Sequence, residues 1–310
     1  MRRVIKQTKG EITLQEAYDI FIQEKEANGL SASTLRNYNL SWRIFTEYIE
    51  LTYPSEINTS TIYKWINHMR KSEISPSSMN HYIRDVRSVL NWMAKREYCE
   101  KIELKEVKHQ EEQPKFYKDE DIEKLLEKPR AKDSFVEWRT WAIVNTILAT
   151  GARAQTICDM KLDDIDFQKR EIALGHTKNK KAQNVPLSKS LETCLREYTR
   201  KFSVSSYLFP NVGDEKLTTN GLRLAYTRYC NDRDVEQTNI HGLRHSFARS
   251  WIKNGGSAFA LQRILGHSNV SMTNKYVKLY SEDLKDDYED FSALDVMKKK
   301  AKRTSAFKKA

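Results

Sequence analysis

The spacing of apolar residues changes along this chain, and the change limits what it can fold into. Up to about residue 100, apolar side chains recur every three or four positions, the period of amphipathic helices. Thr13-Leu-Gln-Glu16 has the pattern of a capping box. Behind it Leu14, Ala17, Tyr18, Phe21 and Ile22 form a stripe, and Gly29 stands where such a helix would stop. A second helix is predicted from Leu35, Tyr38, Trp42, Phe45 and Ile49, and a shorter third from Ile62, Trp65, Ile66 and Met69. The serines and proline at 75–78 open a long fourth helix, with Met79, Tyr82, Ile83, Val86, Leu90 and Met93 inward and Arg84, Arg87, Lys95 and Arg96 on the same element.

The period fades from about residue 103 to 115, a charged stretch containing Pro114, which reads as an interdomain linker. Helical spacing resumes after Asp119, Glu120 and Asp121, acids suited to a helix N-terminus, and continues through Ile122, Leu125 and Leu126. The apolar run 141–149 reads as a buried helix. Between Asp164 and Leu187 the period becomes two: Ile165 and Phe167, then Ile172 and Leu174, then Val185 and Leu187. A small antiparallel sheet is therefore expected inside a helical domain, with helices returning at 218–230, 241–255 and 257–266. The predicted fold is mainly α: a helical N-terminal domain at 1–104, a linker at 105–115, a mixed α+β domain at 116–280 and a tail at 281–310. The tail holds seven acids against one lysine over 281–295, then seven bases and no acid over 298–310. It is expected to be mobile and to bind DNA loosely.

Charge narrows the partner. Lys and Arg number 53 against 42 Asp and Glu, a net charge of +11, which favours a polyanion and nucleic acid first. The four cysteines, Cys99, Cys158, Cys194 and Cys230, are far apart and contain no CxxC, the pattern of free thiols in a reducing compartment. No run approaches the ~18 apolar residues of a membrane span, and no apolar segment follows the basic N-terminus. A cytoplasmic, nucleoid-associated protein with no membrane partner is expected.

The chemistry gathers late in the chain. His241, Arg244 and His245 form HxxRH, and on a helix all three share a face. Arg244 can present a fork of donors to two phosphate oxygens. Arg153, after the turn-like Thr150-Gly151, could complete a clamp from another helix. Tyr276 follows His267 by nine residues, and a tyrosine hydroxyl is a plausible covalent nucleophile. Lys178, Lys180 and Lys181 lie in the hairpin turn, where one could act as general acid; spacing alone selects none. Each feature has a plainer reading. A lone tyrosine is usually packing, HxxxH without HExxH is a weak zinc signal, and Asp163, Asp164 and Asp166 flank a strand better than they form a metal site. No metal and no cofactor is expected. What favours chemistry is the order: Arg153, the hairpin lysines, HxxRH, His267, Tyr276.

On ATGARAQTICDMKLDDIDF, HTKNKKAQNVPL, HGLRHSFA and LGHSNVSMTNKYVK, the chain resembles the tyrosine recombinase (phage integrase) family, over roughly residues 11 to 295. The helix beginning SPSSMNHYIRDVRSVLNWM is similar to the family's SAM-like core-binding domain. The resemblance implies a site-specific DNA recombinase that breaks and rejoins strands through a 3′-phosphotyrosine and a Holliday junction, without ATP or metal. Arg153 and Arg244 would bind the scissile phosphate, Lys178 would be the general acid, and His241 would serve acid–base work. His267 would hold or protonate the phosphate, Tyr276 would attack, and His245 would lie behind them. Implied partners are double-stranded DNA with inverted half-sites, three further copies in a homo-tetramer on that DNA, and accessory DNA-bending or directionality proteins. Arg36, Arg84 and Arg87 are candidates for DNA contact. Residues 281–295 resemble the segment that docks on a neighbouring protomer.

Two departures stand out. Thr156 occupies a position where family members often carry an acid, and TKNKKAQN lacks the glycines common there, which leaves Lys180 open beside Lys178. About ten residues precede the first helix, so a two-domain type without an arm-binding domain is expected. Two rival activities share the pattern: a DNA-binding protein that has lost catalysis, and a type IB topoisomerase-like relaxing enzyme.

Overall fold

The computed structural model describes residues 12–108, 115–175 and 183–266, together with Thr273 and Tyr276. The chain divides into two compact units between residues 112 and 113.

Among the described residues, the first unit holds four α-helices: α1 (Leu14–Ala27), α2 (Ala32–Ile49), α3 (Thr59–Lys71) and α4 (Pro76–Lys95). The capping box expected at Thr13 is present: its hydroxyl accepts from the Glu16 N–H at 3.2 Å, and its own N–H donates to the Glu16 carboxylate at 2.9 Å. Gly29, with φ of +75°, takes the chain out of α1. The predicted stripes meet in one core, where Phe21, Phe45, Trp65, Ile83 and Met93 are fully enclosed. Tyr18 stacks on Trp42 at a ring separation of 4.7 Å, and Trp92 donates to Glu24 at 2.9 Å.

This unit continues past α4. Ile102 and Leu104 join its core. The side-chain amide of Asn80, itself buried, accepts from the Val107 N–H at 2.7 Å and donates to the Val107 carbonyl at 2.9 Å. The amide thus completes both backbone hydrogen bonds of an extended residue, as a neighbouring strand would. Part of the stretch whose helical period fades is in this way pinned to α4. Residues 109–114, with Pro114, lie outside the described residues.

The second unit opens with α5 (Asp119–Leu126) and α6 (Phe135–Thr150). The latter starts earlier than the apolar run suggests because Ser134 caps it, its hydroxyl accepting from the Glu137 N–H. Next come the short α7 (Ala154–Asp159) and an antiparallel sheet of β1 (Ile165–Asp166), β2 (Glu171–Leu174) and β3 (Gln183–Pro186) in that order. Ile172 of β2 lies opposite both Ile165 and Val185, so one sheet face is apolar and buried. Phe167 and Leu187 fall just beyond the strands. Then follow α8 (Lys189–Phe202), α9 (Thr219–Asn231), α10 (Ile240–Lys253) and α11 (Ala258–Leu265). Helix α8 is an addition to the elements read from sequence; Leu191, Cys194, Leu195 and Tyr198 form its buried stripe. Helix α6 packs against α5, α8, α9 and α10, and its centre is enclosed all round. Cys158, Cys194 and Cys230 are buried free thiols, and Cys99 is half-buried.

Candidate active site

The site forms where α6 and α11 end against α10. Helix α6 stops at Gly151, which adopts φ of +65° and caps the helix by donating to Ile147. Helix α11 stops the same way at Gly266, with φ of +59°. A helix leaves its last carbonyls without intrahelical partners and carries partial negative charge there. Two arginines use these carbonyls. Arg244 of α10, only 4% exposed, donates through Nη1 to Gly151 and through Nη2 to Leu265, the latter at 2.8 Å. Arg153, half-buried at the start of α7, donates to Gly266 at 3.5 Å. The predicted arginine pair is therefore brought together and seated on the negative ends of two helices.

The orientation of α10 is fixed from behind. Asn239 caps it, accepting from the His241 N–H at 3.1 Å. The Tyr117 hydroxyl reaches the carbonyls of Gln237 and Asn239, and the Tyr117 N–H donates to the Ser246 hydroxyl. Gly242 lets this segment close in: a Cβ there would lie 2.9 Å from the Tyr117 ring and 3.2 Å from the Lys115 carbonyl.

With α10 held, His241 and His245 turn toward the arginines one helical turn apart, ring centroids 4.6 Å from each other. Tyr276 is 4% exposed and packs against Phe247, Ala248, Leu261 and Leu265. Its hydroxyl lies 2.7 Å from Nδ1 of His245. So the second histidine of HxxRH, expected to lie behind the reacting groups, touches the candidate nucleophile directly. HxxRH shows that the two histidines share a face; a contact across 31 residues has no signal in local spacing.

Positive charge is concentrated here. Burial, then the nearby Arg153, pull the Arg244 guanidinium down to about 10, while Tyr276 acts in the opposite direction. Burial, then His241 and Arg244, pull the His245 imidazole down to about 4. His241 is lowered too, first by burial and then by Arg244 and Arg153. Both histidines therefore favour the neutral form, and the surrounding field favours an anion.

Lys178, Lys180, Lys181 and His267 lie outside the described residues, as does the tail from 277 onward. Among the N-terminal candidates, Arg36 is exposed on α2, while Arg84 and Arg87 both pair with Glu106, at 3.1 Å and 3.5 Å. Thr156 is half-buried on α7. Among the described residues no group of three His, Cys, Asp or Glu is placed to hold a metal, and no helix is long and apolar enough to cross a membrane.

Residues 115–283 match the phage integrase family, and residues 13–110 match the phage integrase SAM-like domain. The chain is 30% identical to the tyrosine recombinase XerA of Thermococcus kodakarensis, over 87% of this chain and 93% of that protein. It is 28% identical to the tyrosine recombinase XerD of Listeria innocua, over 85% and 93% of the two. Among solved structures it is similar in fold to a lambda integrase dimer bound to a core site (TM-score 0.70, 16% identity, covering 86% of this chain and 95% of that one). It is likewise similar to the Tn1549 transposon integrase with a circular intermediate DNA (TM-score 0.71, 18% identity, covering 86% and 94%).

Proposed function

The chain belongs to the phage integrase family and is a site-specific tyrosine recombinase, and from that premise we propose how its residues divide the reaction. Tyr276 attacks the scissile phosphorus through Oη, forming a 3′-phosphotyrosyl bond and releasing a 5′-hydroxyl. Arg153 and Arg244 bind the non-bridging oxygens, whose charge grows in the transition state. Lys178 gives a proton to the leaving 5′ oxygen, His241 takes part in proton transfer, and His267 holds the phosphate. The covalent link keeps the energy of the broken bond, so rejoining needs no external energy source.

The observation that carries this reading is the meeting of Tyr276 with the HxxRH helix, hydroxyl to imidazole at 2.7 Å, beside a buried arginine seated on two carbonyls. Preorganised donors of this kind are typically worth about 10²–10³ in rate each, since they need not reorganise as charge develops. On the wider scale we assign double-stranded DNA with inverted half-sites as the partner. A tetramer would work through a Holliday junction, with 281–295 docking on a neighbouring protomer. Arg36, Arg84 and Arg87 are assigned to phosphate contact in the 1–104 domain.

The test is covalent trapping. Wild type and Tyr276→Phe are incubated with nicked duplexes and denatured, and protein–DNA adducts are sought. An adduct with wild type alone is expected. An adduct with both would move the nucleophile, Tyr280 being the nearest rival; none with either, despite binding, would overturn the reading.

A further inference from the structure

We infer that His245 is the proton acceptor for the Tyr276 hydroxyl during strand cleavage. The inference rests on the reading of Tyr276 as nucleophile and assigns a role to a histidine that the catalytic scheme above leaves unused.

Geometry comes first. The Tyr276 hydroxyl is held at 2.7 Å from a ring nitrogen of His245, within normal hydrogen-bond reach. That ring is held edge-on by two neighbours: Phe116 at 6.3 Å and 83°, and His241 at 4.6 Å and 77°. Among the described residues, the charged groups that act on it are His241, when protonated, and Arg244, both on its own helix. Burial of the ring first, and these charges after it, keep the imidazole neutral at ordinary pH. A neutral imidazole has one donor and one acceptor nitrogen. With Nδ1 facing a phenol, the tautomer that accepts from it carries its proton on Nε2.

Energetics follow. A phenol, with a normal pKa of about 10, is a weak nucleophile until its proton has somewhere to go. At about 4, the resting His245 is a poor base. The bound phosphodiester changes this, because its negative charge would sit against Arg244, one of the groups that depress the imidazole. Substrate binding therefore raises the basicity of His245 when the proton must move. As the Oη–P bond forms, the phenolic proton passes to Nδ1. The bond from phosphorus to the 5′ oxygen breaks, and that oxygen takes a proton from the acid on the leaving side. On rejoining, the imidazolium returns its proton to Oη.

The experiment uses the full chain and a nicked duplex selected from a randomised pool by adduct formation with wild type. A matched duplex carries sulfur in place of the bridging 5′ oxygen, a leaving group that needs no proton. His245→Asn keeps an acceptor near the position of Nδ1 but cannot take a proton; His245→Ala removes both. Adduct formation by both variants is expected to slow by about 10²-fold or more, with duplex affinity retained. Sulfur should rescue Lys178→Ala and leave both His245 variants slow. The acid limb of the wild-type pH–rate profile should vanish in His245→Asn. Near-wild-type rates for His245→Asn, or rescue of either variant by sulfur, would overturn the assignment. Absence of any wild-type adduct on duplexes that it binds, or an adduct with Tyr276→Phe, would instead remove the nucleophile reading and this inference with it.

Discussion

Replacing Gly151 with alanine tests whether fold and chemistry share one atom, the Gly151 carbonyl. This residue needs φ of +65° to end α6, and its carbonyl receives Nη1 of Arg244. A Cβ would stand 2.6 Å and 2.9 Å from two ring atoms of Phe247 and 2.7 Å from a methyl of Leu265. The left-handed backbone costs a non-glycine residue roughly 1–2 kcal/mol. Forcing a methyl into a filled core costs about 1–3 kcal/mol more. The sum is about 2–5 kcal/mol. Gly29 is the control: it has φ of +75° with nothing within 4 Å of its Cβ position, so Gly29→Ala should cost the backbone part alone. Hydrogen exchange of α6 and α10 peptides, with α1 peptides for the control, reads the opening free energy in each unit. Phe247 and Leu265 also line Tyr276, and Leu265 supplies the second carbonyl to Arg244. Gly151→Ala should therefore slow adduct formation beyond any loss of folded protein. Equal costs at Gly151 and Gly29, or unchanged adduct formation per folded molecule, would refute the packing argument.

Arg244→Lys keeps the charge but loses the planar fork that reaches both Gly151 and Leu265; adduct formation should fall at least about 10²-fold while neutral-pH duplex binding changes less. Acid should unfold the second unit early. His245 titrates near 6.5 when unfolded and about 4 when folded, so the unfolded chain binds the extra proton first. The stability present above pH 6.5 is lost as pH falls toward 4, and His241 acts in the same direction. A denaturation series across that window should show a slope that is shallower in His245→Asn. Glu106→Gln should leave folding within about 1 kcal/mol, because its pairs with Arg84 and Arg87 are at the surface. It should tighten non-specific DNA binding and steepen its salt dependence, as two arginines lose a competing carboxylate; an unchanged salt slope would remove both from the DNA contact.

What could be read from sequence is what repeats locally. The stripes of α1 to α4 and the capping box at Thr13 depend on residues three or four apart, and they are legible for that reason. Helix α8 carries an equally clear stripe at Leu191, Cys194, Leu195 and Tyr198, behind the cap at Ser188, but its many charged residues disguise it. The anchoring of Val107 to Asn80 spans 27 residues, and only Ile102 and Leu104, two apart as in extended chain, hint at it. In the candidate site, the motifs pointed to Arg153, His241, Arg244 and Tyr276, which the structure brings near one another. What holds them was not: the carbonyls that seat Arg244 lie 93 and 21 residues away, and backbone atoms leave no trace in a pattern of side chains.

That choice of partner has a chemical consequence. A guanidinium as enclosed as Arg244 needs compensation, because burial penalises its charge. A carboxylate would supply a full negative charge and cancel the field that Arg244 offers to an incoming anion. Carbonyls at a helix C-terminus supply hydrogen bonds and only about half an elementary charge, spread over the last turn. Arg244 on Gly151 and Leu265, and Arg153 on Gly266, are thus oriented by these bonds without being neutralised by them. The positive-φ glycines at the ends of α6 and α11 leave those carbonyls turned toward the arginines. Burial first, and then the same field, lower His241 and His245, so on the proposed reading an incoming phosphodiester would meet two arginines and two neutral imidazoles. Once bound there, it would relieve part of the depression on the imidazole nearest Tyr276. On this account phosphate binding and proton acceptance are coupled through Arg244, and weakening that arginine should shift the acid limb of the cleavage profile as well as its height.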